Sequence, residues 1–209
     1  MNRPILALAL VLLGGCHPPR RALPMGDHDQ PGELVPTSEM VGEFVLQQRI
    51  HARFGGREGG FEAVLQVQGG ALTLVGMTPF HTRAFVMVQR GVQTEFTSQL
   101  PEAMPFPPRA MLLDAHRVLF MALGPAPMSD GEHRGQRAGE EIRELWSGGR
   151  LRERHFRRLD GRPAGSVDVE YEGGMEGRVV PRTVLLRNGW YGYELTITTL
   201  SQTNLAGGR

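Results

Sequence analysis

The chain has 209 residues, enough for one domain with its own hydrophobic core and no metal or disulfide staple. Its 23 basic residues are all Arg and face 22 Asp and Glu, leaving a net charge of +1, which excludes the basic excess of a nucleic-acid binder. With 40% hydrophobic and 22% charged residues it is too polar for a bundle of membrane spans, while 28 Gly and 15 Pro predict many turns and short strands.

At the amino terminus, Arg3 precedes an apolar run from Ile5 to Leu13, and Gly14-Gly15 supply the small residues of a cleavage site before Cys16. Nine apolar residues are too few to cross a hydrocarbon core of about 30 Å, so 1–15 reads as a signal peptide. Cys16 is the sole cysteine, and Leu13-Gly14-Gly15-Cys16 resembles a bacterial lipobox, in which the thiol is acylated and becomes the first mature residue. Multiple acyl chains give stable attachment to a membrane, and His17 in place of Asp favours the outer one. Residues 16–37 contain Pro18, Pro19, Pro24, Pro31 and Pro36 with no helix or strand period, and read as a tether. The folded domain is expected over 38–205.

From Phe44 to Phe54 the even positions Phe44, Leu46, Ile50, Ala52 and Phe54 are apolar while Arg49 and His51 are not, which is the pattern of a half-buried strand. Gly55 to Gly60 reads as a flexible hairpin loop, lacking the Gly-Lys-Ser/Thr ending of a phosphate loop. Phe61 to Val67, Leu72 to Met77, Thr82 to Gln89 and Val92 to Thr97 continue the meander. Phe44, Leu46, Ile50 and Phe54 should share a face with Phe61, Ala63, Leu65 and Val67.

Arg109 to Leu123 reads as the one mature helix, with Met111, Leu112, Ala115, Val118, Leu119 and Ala122 on one side and Leu113 and Phe120 opposite, the mark of a sandwiched helix. Gly124 to Gly139 reads as a long surface loop. The hairpins then resume over Glu141 to Trp146, Arg150 to Arg158, Ser166 to Glu172 and Val179 to Arg187, and Asn188-Gly189 leads into Trp190 to Leu200. About ten antiparallel strands must curl or close to protect their edges. The fold class is therefore mainly β with a helical lid, an open or closed antiparallel barrel.

Signs of catalysis are scarce. No serine sits in a Gly-x-Ser-x-Gly elbow. His28 lies in the tether beside Asp27 and Asp29, Glu132-His133 lacks a second histidine, and Asp114 and His116 are two apart on the helix and so do not share a face. The expectation is a non-enzyme with no metal and no cofactor. Arg143, Arg150, Arg152, Arg154, Arg157, Arg158 and Arg162 form the most basic stretch, whose first reading is a surface for anionic lipid headgroups and whose favoured one is a paired hairpin. A three-residue turn at Ser147 to Gly149 would set Glu144 opposite Arg152 and Arg143 opposite Glu153, making it a solvated, charge-paired hairpin.

The acylated Cys16, the tether and two meanders interrupted by one helix together resemble the LolA/LolB-like lipoproteins. Three stretches, Phe61 through Leu74-Val75-Gly76-Met77-Thr78-Pro79-Phe80, Pro107 to Phe120, and Pro181 to Thr199 with Asn188-Gly189 and Tyr193, look closest to an uncharacterised lipoprotein family grouped with LolB. The resemblance spans about Glu43 to Asn204. It implies an unclosed antiparallel β-barrel whose concave apolar face is covered by helix and accommodates acyl chains. An outer-membrane location facing the periplasm follows, with a lipid, acylated product or lipoprotein as ligand, and a lipoprotein carrier or envelope transporter as partner. Leu65, Leu74, Phe85, Leu112 and Leu119 are the expected walls of a cavity of about 300 Å³ or more. Phe80 is the counterpart of a projecting membrane-contact residue. The alternative is a scaffolding subunit of an envelope complex with a filled core.

Overall fold

A computed structural model describes residues 32–100, 108–177 and 179–205. The signal peptide, Cys16 and His28 lie outside the described residues.

Eleven strands form one antiparallel sheet. In chain order they are β1 (Phe44–Phe54), β2 (Arg57–Gln68), β3 (Ala71–Met77), β4 (Arg83–Arg90), β5 (Gln93–Ser98), β6 (Gly131–Arg137), β7 (Glu140–Ser147), β8 (Arg150–Arg158), β9 (Ser166–Met175), β10 (Thr183–Asn188) and β11 (Tyr193–Asn204). Strands β1–β5 and β6–β11 are two meanders joined where β1 pairs with β11, which leaves β5 and β6 as the two edges. The sheet is thus an open barrel. Its connection from β5 to β6 carries the helix α1 (Pro108–Leu119), which begins on a proline, the residue best suited to a first helical position.

The glycine excess has a local cause. Gly55-Gly56, Gly69-Gly70 and Gly148-Gly149 each make a two-residue hairpin turn with both φ angles positive (55° and 76°, 58° and 72°, 62° and 68°), the conformation whose twist matches that of paired strands. Gly76 serves packing instead. A Cβ there would lie 2.2 Å from the Phe85 ring, so Phe85 can turn inward only because position 76 has no side chain.

The inner face follows the expected alternation at the start of the chain: Leu46 pairs with Leu65 and Ile50 with Phe61, while Arg49 and His51 point to solvent. Several expectations need correction. The turn after β1 is only Gly55-Gly56, and Gly59 and Gly60 belong to β2. The expected loop over 124–139 contains β6, and Ala138-Gly139 closes its hairpin to β7, again with both φ angles positive. Trp190 opens no strand, since β11 starts at Tyr193. The folded part begins before Ser38: Leu34 and Val35 are buried, Val35 O accepts from Gln89 Nε2, and Thr37 Oγ1 donates to Gly70 O.

The basic hairpin departs most from expectation. A two-residue turn and a bulge between Leu145 and Trp146 set Glu144 opposite Arg154 and Arg143 opposite His155. Glu140, Ile142, Glu144 and Trp146 all face inward, so Glu144 and Arg154 are a buried pair and not a solvated one.

Candidate functional site

The helix lies against the concave face of the sheet with two unlike sides. Met111, Ala115 and Leu119, four residues apart, form an apolar stripe that with Val118 faces Ile50, Phe61, Ala63, Leu65 and Leu74 of β1–β3, and Leu186, Leu195 and Ile197 of β10 and β11. Between these walls is an apolar cavity of about 60 Å³. Met111, Ala115 and Leu119 are only half-buried, so the stripe reaches the surface.

Of the expected wall residues, Leu65, Leu74 and Leu119 do line this cavity. Phe85 and Leu112 are buried in the core and are not among its walls: the Phe85 ring packs edge-on against Phe61 at 5.6 Å and beside Phe96. The cavity is also far below 300 Å³. Sequence reading passed over Gln48, Ile50 and Phe61, although Ile50 and Phe61 were placed on the inner face of the sheet.

On its other side the helix is held by buried polar groups. Arg117 donates to Asp114 Oδ1 and to Glu140 Oε1, both at 2.8 Å, and its guanidinium lies 4.7 Å from the Trp190 ring centre. Burial disfavours the charged guanidinium, but the two carboxylates outweigh it and raise the Arg117 pKa above its ordinary value. Asp114 also accepts from Asn188 Nδ2 at 3.0 Å and from the Tyr193 hydroxyl, whose pKa is raised by burial and by the Asp114 charge. Arg154 donates to Glu144 and to the carbonyl of Arg117, and Tyr171 donates to that of Val118 at 2.8 Å. These side chains satisfy carbonyls that a helix end leaves open. Burial pushes the Tyr171 pKa to about 12, so its hydroxyl remains a donor.

His116 points elsewhere, as its two-residue offset from Asp114 implied. Nδ1 accepts from the Val35 N–H at 2.9 Å and Nε2 meets Gln89 Oε1 at 2.8 Å. Burial above all, with Arg117 adding to it, lowers its pKa to about 3. The imidazole is therefore neutral.

On the convex side, Ser166, Asp168 and His155 are neighbours in an arrangement unlike a catalytic triad. Asp168 sits in the middle, 2.6 Å from His155 Nδ1 and accepting from Ser166 Oγ at 2.9 Å, so the hydroxyl is spent on the carboxylate and not on the imidazole. No cluster of three or more His, Cys, Asp or Glu able to hold a metal occurs among the described residues, nor any helix long and apolar enough to cross a membrane. Phe80, in the loop between β3 and β4, is 85% exposed above a turn closed by Thr78 and Thr82.

A family model described as "Protein of unknown function (DUF3261)" matches residues 45–201, from β1 to β11. Comparison with curated proteins found no match. Solved structures similar to the chain include a LolA superfamily protein from Nitrosomonas europaea, at TM-score 0.46 and 12% identity over 79% of this chain and 87% of that one. A putative outer membrane lipoprotein-sorting protein domain from Vibrio parahaemolyticus has a TM-score of 0.46 and 8% identity over 82% and 88%. A DUF1329 family protein from Desulfovibrio piger has a TM-score of 0.33 and 11% identity over 80% and 87%.

Proposed function

The chain belongs to the DUF3261 family of proteins of unknown function, and we propose that it is a non-catalytic lipoprotein of the outer membrane that binds or hands over acyl chains on the periplasmic side. The observation that carries this reading is the apolar cavity between α1 and β1–β3, with the Met111–Ala115–Leu119 stripe open at its rim. Nearly every wall residue offers a ligand only dispersion and water exclusion, which suits a hydrocarbon chain and little else.

Pockets that enclose a drug-sized ligand measure about 300–1,000 Å³. On this reading the cavity of about 60 Å³ is the closed form of the site, and a chain enters as the stripe and the sheet move apart. The ligand is a lipid, an acylated product or the acyl chains of a lipoprotein, received from or passed to a lipoprotein carrier or envelope transporter. Acylated Cys16 holds the protein at the membrane, and Phe80 is the loop residue that touches it.

The test uses the Cys16→Ser protein, which fractionates away from membranes if Cys16 is the anchor. A fluorescent acyl-chain probe should bind it with micromolar affinity, and Leu119→Trp, which fills the stripe, should abolish binding while the β-sheet circular dichroism persists. The small cavity favours one other reading, a scaffolding subunit with a filled core. Absence of probe binding to the unsubstituted cavity would leave that reading as the better account.

A further inference from the structure

Gln48 breaks the apolar inner face of β1. It points inward between Leu46 and Ile50, lines the cavity and is only 7% exposed, and among the described residues no hydrogen bond of its side-chain amide is found. Its cross-strand neighbours are Ala63 on β2 and Thr199 on β11, and the Thr199 hydroxyl donates to Pro181 O and makes no bond with the amide. The register of β1 against β11 shifts between Gln47 and Gln48, leaving Leu200 as the extra residue of a bulge, a device that re-aims side chains beside binding sites.

The other polar wall residue, Asp114, is already fully engaged by Arg117, Asn188 and Tyr193. Gln48 is thus the polar wall residue left available to a bound chain, and its amide atoms, unlike the sealed Trp190 Nε1, keep accessible surface. We infer that Gln48 recognises an uncharged oxygen function on the bound chain, an ester or amide carbonyl, so that the site takes ester- or amide-linked acyl groups in preference to free fatty acids. The amide N–H of Gln48 donates to that carbonyl. A carboxylate is disfavoured there because no cation lines the cavity, Arg117 on the helix is already neutralised by Asp114 and Glu140, and an unpaired charge in an apolar cavity is costly.

This inference rests on the acyl-binding reading, and two probes separate the two. Diphenylhexatriene, a pure hydrocarbon fluorophore, reports the apolar cavity alone; monododecanoylglycerol adds an ester carbonyl, and dodecanoate at pH 8 adds a charge. The Cys16→Ser protein should bind diphenylhexatriene, and monododecanoylglycerol should displace it at lower concentration than dodecanoate does. Gln48→Met, close to an isostere, should weaken monododecanoylglycerol about tenfold relative to diphenylhexatriene, the loss of one hydrogen bond. Gln48→Leu gives the same comparison if the Met variant folds poorly. Equal monododecanoylglycerol affinity in the Gln48 variants, or dodecanoate binding as tightly as the ester, overturns the assignment of Gln48 and leaves acyl binding intact. Failure of both diphenylhexatriene and the ester to bind the parent protein overturns acyl binding itself.

Discussion

His116 is satisfied on both ring nitrogens, with Nδ1 accepting from the Val35 amide and Nε2 donating to Gln89, a pattern open only to one neutral tautomer. Protonation would turn the Val35 contact into two facing donors. Because the folded-state pKa is lowered to about 3 against an unfolded value of 6.5, the unfolded chain binds the additional proton between those limits, and stability falls as pH falls from 6.5 towards 3. Each pH unit inside that window costs up to about 1.4 kcal/mol, so acidification from 6.5 to 5 should remove about 2 kcal/mol. Urea unfolding at the two pH values should show this loss in the parent protein, and His116→Gln should lack that part of the slope. An equally steep slope in the variant would assign the acid sensitivity to other groups. The separation of His116 from Asp114 was legible from a spacing of two on a helix. The burial of Glu144 was legible too, but overlooked: Ile142 and Trp146 fix the inward phase of β7 on even positions, and Glu144 shares it, while Leu145 on the other phase obscured the pattern.

The helix depends for its carboxyl end on residues far along the chain. Arg154 of β8 and Tyr171 of β9 bond the Arg117 and Val118 carbonyls, and Arg154 also neutralises Glu144, which is 0% exposed and accepts the Trp146 indole N–H. Arg154→Met removes the cap and strands a buried carboxylate, a change that typically costs about 3–5 kcal/mol. Chemical denaturation should register that loss, and adding Glu144→Gln should recover much of it by removing the unpaired charge. No recovery in the double variant would mean that the carbonyl bonds, and not the Glu144 charge, carry the effect. Apolar periodicity revealed this helix at the sequence level, whereas β6 was missed for an equally physical reason. Its residues Gly131 to Arg137 form an edge strand with one face in solvent, so they hold no apolar alternation, and its Ala138-Gly139 turn places an alanine at φ 53°, a position usually signalled by Asn, Asp or Gly.

The hydrogen bonds that hold α1 are divided unequally between the halves of the barrel. Glu140, Arg154, Tyr171, Asn188 and Tyr193 tie it to β7–β11, whereas the described side-chain hydrogen bond from the helix to β1–β5 is that between His116 and Gln89. Among the described residues the edges β5 and β6 do not pair, and the two meanders meet through strand pairing at β1–β11. This closing partnership joins the ends of the chain and carries no local turn signal, which is why alternation made the meanders legible while the seam and the entry of residues 34–37 into the core were not. If the cavity opens to admit a chain, as proposed, the asymmetry favours one route: β1–β3 move away from the Met111–Ala115–Leu119 stripe while the helix stays on β7–β11. Gln89→Leu breaks the tie on that route and should weaken the closed form by about 1–3 kcal/mol. When binding competence belongs to a minor open state, apparent affinity rises with the population of that state, so acyl-probe binding should tighten by about tenfold for each 1.4 kcal/mol of closed-state stability lost. Arg154→Met, which loosens the helix from the opposite wall, should lower stability with no such gain. Parallel titrations of both variants with the same fluorescent probe decide the matter, and Gln89→Leu binding no more tightly than the parent, despite its lowered melting temperature, would place the opening elsewhere.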